Sequence, residues 1–109
     1  MELEKSKGTQ VLEQLETSEE LELPCHLILL DDDSHTYAYV IAMLTNIFGY
    51  SREKGFAIAS TVESQGQAIV MTADKEKCLE VQNHIHNFGP DPLMEMSTGS
   101  MSAIIEPTK

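Results

Sequence analysis

The apolar positions of the chain change period several times, and each change marks an element. His26-Leu27-Ile28-Leu29-Leu30 is a continuous apolar run closed by three aspartates, the pattern of a strand buried on both faces. Tyr37, Val40, Ile41, Leu44, Ile47 and Phe48 then recur at helical spacing on one face. Gly49 follows as a natural residue to end that helix. Ser51 can cap a second helix over about 52–65, with Phe56, Ile58, Ala59 and Val62 as its apolar positions and Gly66 as its stop. Gln67 to Ala73 reads as a strand centred on Ala68, Ile69, Val70 and Met71. Asp74 can cap a third helix, along which Cys78, Val81, Ile85 and Phe88 share a face. Gly89-Pro90 ends it, a loop runs over 89–100, and Met101 to Glu106 forms the last strand. The order β-α-α-β-α-β predicts a small two-layer α/β sandwich, three strands on one side and three helices on the other.

The first 24 residues carry no such pattern. They hold seven Glu against two Lys, a net of −5, with sparse leucines and a closing Pro24. This predicts a flexible, solvated acidic extension over 1–24 ahead of a single domain over 25–109. Charge extends the picture. With 18 acidic and 7 basic residues the net charge is −11, a field that disfavours nucleic acid and anionic membranes and favours cationic partners. No apolar run approaches the ~20 residues that cross a bilayer, and Met1-Glu2-Leu3-Glu4 has neither the basic nor the apolar part of a secretory signal. The expectation is a cytoplasmic protein, with Cys25 and Cys78 as lone reduced thiols.

Several stretches in this order resemble the ClpS adaptor family: Leu29-Leu30-Asp31-Asp32-Asp33 between strand and helix, Val62-Glu63-Ser64-Gln65-Gly66-Gln67-Ala68 at the end of the second helix, and Thr72-Ala73-Asp74 at the start of the third. The resemblance covers roughly 26–88, and the final strand by order alone. It implies a non-catalytic adaptor that binds the free α-amino group and bulky first side chain of N-degron proteins. The adaptor hands these to the N-terminal domain of a Clp AAA+ ATPase, using an N-terminal extension for delivery. The family holds the amine with an Asn and an Asp of the turn and a His at the end of the second helix; the matching positions are Asp31, Asp32 and Glu63. Asp33 completes the turn and serves the helix start. The hydrophobic pocket falls on Tyr37, where Met is usual, with Val40, Met43, Ala59 and Val62. Chaperone docking falls on Asp74 and, where a basic residue is usual, on Leu79. Thr36 replaces the Pro that usually opens the first helix, and the 89–100 loop is longer than usual.

The residues bear on the same question independently. An ammonium offers three donors and no acceptor, so a site built from carboxylates suits it. Acids ahead of a helix are also favourable through capping and dipole alone, and Glu63 is unfavourably placed for the dipole of its own helix. Three consecutive aspartates lack the alternating spacing of a calcium loop, His84 and His86 lie two apart on a helix and point away from each other, and His35 is expected to be exposed. No metal, cofactor or catalytic motif is predicted, and the protein is expected to be monomeric. Two other readings remain: a ClpS-fold protein without N-degron recognition, on the departures at Asp31, Tyr37, Glu63 and Leu79, and an interaction domain that uses its acidic surface.

Overall fold

The computed structural model describes residues 23–94 and 97–108. The acidic extension expected over 1–24 therefore lies outside the described residues apart from its last two positions. The elements are β1 (Cys25–Leu30), α1 (Tyr37–Phe48), α2 (Arg52–Gln65), β2 (Gln67–Ala73), α3 (Lys75–His86) and β3 (Ala103–Pro107). Both neighbours of β1 pair with it antiparallel, in the order β2-β1-β3. The apolar run of β1 is thus the central strand. Leu27 and Leu29 are fully enclosed beneath the helices, against Tyr39, Val40, Met43 and Leu44 of α1 and Cys78, Val81 and Ile85 of α3.

The two edge strands alternate where β1 does not: the helices cover one face of the sheet, and on the other face Ile28 of β1 is shielded by the strands on either side of it. Ala68 and Val70 are buried while Ile69 between them is exposed. Its register partner Ile28 is also paired with Ile104 of β3, so three isoleucines cross the sheet on the face away from the helices. The pairing slips by one residue between Leu27 and Ile28, where β2 carries an extra residue.

α1 and α2 approach closely because α2 presents Gly55 there. A methyl group at that position would lie 3.3 Å from the Ile41 backbone. The burial of α2 is confined to Gly55, Ala59 and Val62. Phe56, expected on the apolar face, is instead 54% exposed and meets Tyr37 edge to face at 5.4 Å. α3 ends at His86 rather than running on to Phe88, which packs against the core from beyond the helix end. Two thiols are enclosed, Cys25 and Cys78, and burial pushes the Cys78 thiol above its ordinary value.

Candidate functional site

The acidic turn is set in place by the strand before it and the helix behind it. Leu30 donates its backbone N–H to Ser102 at 3.0 Å, and Asp31 donates to the carbonyl of Gly66, also at 3.0 Å. Gly66 closes α2 at φ 86, a left-handed conformation that favours glycine. The end of α2, and Glu63 with it, is thereby fastened beside the start of the turn. Within the turn, Asp32 Oδ1 accepts from Ser34 N at 2.9 Å, a local Asx-type closure.

The start of α1 corrects the expectation for Asp33. The cap is Thr36, whose hydroxyl accepts from Tyr39 N at 3.1 Å, and α1 has no acid in its first turn. Asp33 lies in the turn, exposed. The carboxylate that serves the helix start is Asp91, from the loop after α3. Its Oδ2 accepts from Thr36 N at 2.7 Å and from the Thr36 hydroxyl at 2.9 Å, and its Oδ1 accepts from Leu93 N at 2.8 Å. Asp91 is 2% exposed. Burial pushes its carboxyl up, but the Thr36 and Leu93 N–H groups, the Thr36 hydroxyl and nearby His35 outweigh that. The result lies below the ordinary carboxylate value. Nothing in the local sequence distinguishes Asp91 from its loop neighbours; its role depends on a partner 55 residues away.

His35 is likewise enclosed rather than exposed, with a side chain only 3% accessible. It lies 2.7 Å from Asp32 Oδ1 and 2.8 Å from the Gly99 carbonyl, with its ring 4.5 Å from that of Tyr39.

Between the turn, α1 and α2 lies a cavity of about 270 Å³. Asp31, Asp32, Asp33 and Glu63 line it together with Tyr37, Val40, Ala59 and Val62, so those eight predicted positions share one space. Met43 does not line it: this side chain is fully buried in the core. Met101, just ahead of β3, lines the cavity instead, as do His35 and Thr36. Tyr37 bridges the two helices by donating its hydroxyl to Glu63 Oε1 at 2.5 Å. That bond pushes the Tyr37 phenol above its ordinary value, more than Ser60 offsets. Asp74 and Leu79 lie apart from the cavity. Asp74 caps α3 by accepting from Lys77 N at 2.8 Å, and Leu79 is 44% exposed on that helix. No group of three or more His, Cys, Asp or Glu among the described residues is arranged to hold a metal ion.

A carboxylate rim around a small apolar recess, at the junction of turn and helices, is the arrangement on which known proteins bear. The family model for the ATP-dependent Clp protease adaptor protein ClpS matches residues 21–93. The chain belongs to the ClpS family. It is 31% identical over 71 residues to the ClpS adapter of Corynebacterium jeikeium, covering 64% of this chain and 70% of the relative. It is 27% identical over 89 residues to the ClpS adapter of Streptomyces coelicolor, covering 82% and 90%. The structure of Agrobacterium tumefaciens ClpS2 bound to L-phenylalaninamide superposes with a TM-score of 0.67 at 19% identity. It covers 79% of this chain and 98% of that one, a likeness of fold. This ClpS-family chain has no helix among the described residues long and apolar enough to cross a membrane.

Proposed function

We propose that this ClpS-family adaptor binds protein N-termini bearing a bulky hydrophobic first residue and delivers them to a Clp AAA+ ATPase–protease, without catalysis of its own. The observation that carries the reading is the shared cavity. Carboxylates of Asp31, Asp32 and Glu63 line it together with Val40, Ala59, Val62 and Met101. An α-ammonium supplies three N–H donors to such a rim, while a first side chain such as Leu or Phe gains from leaving water for the apolar wall. The ligand of the Agrobacterium protein, an amino-acid amide with a free amine and an aromatic side chain, has both parts. Tyr37 narrows the recess and Ala59 widens it, so together they set which first residue fits. The face bearing Asp74 and Leu79 docks on the N-terminal domain of the ATPase, and residues 1–24 supply the segment needed for delivery. The adaptor works as a cytoplasmic monomer.

Fluorescence anisotropy with a labelled Leu- or Phe-initiated peptide tests the reading. The free peptide should bind at least about tenfold more tightly than its N-acetylated form, a loss typical of removing a charge-assisted partner. Equal binding of the two forms, or none of either, sinks it. Removing residues 1–22 should leave this binding intact and abolish delivery to the protease.

A second reading, the fold kept without N-degron recognition, is favoured by the Tyr37–Glu63 bond, since that carboxylate already has a donor. If Glu63→His creates peptide binding that the parent chain lacks, the second reading is the better one.

A further inference from the structure

We infer that His35 is a positioning residue of the amine-binding cavity, its ring fixing the Asp32 carboxylate with one nitrogen and fastening the 89–100 loop with the other. The inference rests on the N-terminus-binding reading and adds to it a residue that acts through Asp32. The side chain is only 3% accessible although it sits in a highly polar turn. Nδ1 lies 2.7 Å from Asp32 Oδ1, and Nε2 lies 2.8 Å from the Gly99 carbonyl and 3.4 Å from Ser97 Oγ. A carboxylate and a carbonyl only accept, so the ring must donate from both nitrogens. The imidazolium does so; a neutral imidazole has one N–H and leaves one of the two contacts as opposed lone pairs. Both contacts are made together only when each ring nitrogen carries a hydrogen, and the bond to Asp32 is then charge-assisted.

Two consequences follow for the cavity. First, Asp32 Oδ1 takes both Ser34 N and His35 Nδ1, while among the described residues Oδ2 takes none. The bond to His35 thus decides which oxygen is left for an incoming ammonium. Second, the same ring joins that carboxylate to the loop whose Asp91 holds Thr36, the next residue along the chain. Turn, helix start and loop form one hydrogen-bonded unit.

The two ring nitrogens can be tested separately. Asn places its amide N–H near the Nδ1 position and Gln places one near Nε2. Affinity for the Leu-initiated peptide and the thermal midpoint are measured for wild type, His35→Ala, His35→Asn and His35→Gln. His35→Ala should bind about tenfold or more weakly, the loss of one charge-assisted bond. His35→Asn should stay within about threefold of wild type, because the Asp32 bond survives. His35→Gln should bind as poorly as His35→Ala while keeping the midpoint closer to wild type through the Gly99 contact. If affinity instead follows the midpoint across all three variants, or His35→Ala binds like wild type, the positioning role is overturned while the N-terminus-binding reading stands. If the wild type binds no free-amine peptide, both fall together.

Discussion

The three helices of this chain begin in two different ways. α2 and α3 are capped from within their own first turn, by Ser51 accepting from Lys54 N at 3.1 Å and by Asp74 accepting from Lys77 N at 2.8 Å. α1 has a local cap in Thr36, but Thr36 in turn donates its N–H and hydroxyl to Asp91, from a loop 55 residues further on. A local cap satisfies one helix end and nothing more. The remote one ties a loop to the helix start that borders the cavity, and His35 adds a second tie from the same turn to the same loop. The site is therefore anchored by tertiary structure on the α1 side and by secondary structure on the α2 side, where the carbonyl of Gly66 at the end of α2 links it to the turn.

The sharpest way to break this contrast is to remove each carboxylate in turn. Asp91→Ala leaves the Thr36 N–H, the Thr36 hydroxyl and Leu93 N without their acceptor inside the fold, and should cost about 2–4 kcal/mol of unfolding free energy. Asp74→Ala removes one exposed cap and should cost about 1 kcal/mol. Urea denaturation of the two variants measures both; if Asp91→Ala costs no more than Asp74→Ala, the remote tie is no stronger than a local cap.

A smaller effect appears on acidification. The Asp91 carboxyl lies below its ordinary value in the fold, so the folded state prefers its ionised form. That contribution is complete above the unfolded carboxylate value of about 4 and is lost as pH falls through the lower folded value. The stability difference between wild type and Asp91→Asn should therefore be constant near neutrality and shrink below about pH 4. A difference that stays flat into the acid range would mean that the charge of Asp91 contributes nothing.

What the sequence discloses divides along the same line. The strands, the three helices and their caps at Ser51 and Asp74 follow from local periodicity and local residue chemistry. The unbroken apolar run of β1 reads as a strand enclosed on both faces, and its central place in the sheet provides that enclosure. Failures occur where the deciding partner is remote. His35 looks exposed because its neighbours are polar, yet the 89–100 loop covers it. Met43 and Val40 both sit on the inner side of α1, but only Val40 reaches the cavity, while Met101 lines it from the far end of the chain. Phe56 fits the helical spacing of α2, but the buried stripe there is only Gly55, Ala59 and Val62. The carboxylate rim itself is visible in the sequence because Asp31 to Asp33 are contiguous and Glu63 comes with a recognisable helix end.

The smallest expected effect concerns the bridge between α1 and α2. Tyr37 and Tyr39 both have phenols raised above the ordinary value of 10.0, but for different reasons. For Tyr37 the leading cause is one hydrogen bond to Glu63; for Tyr39 it is burial. The first cause can be removed by changing one side chain and the second cannot. Glu63→Gln should lower the Tyr37 titration midpoint toward the ordinary value, leave that of Tyr39 where it is, and leave the unfolding midpoint unchanged, since water and salt screen an exposed contact. Ultraviolet titration of the phenols, with Tyr37→Phe to assign the signal, reads both together. A Tyr37 midpoint that does not move in Glu63→Gln would show that the neighbouring carboxylate does not set it. A Tyr39 midpoint that moves with it would show that the two sides of the cavity are coupled, and the division between a locally held α2 side and a remotely held α1 side would have to be abandoned.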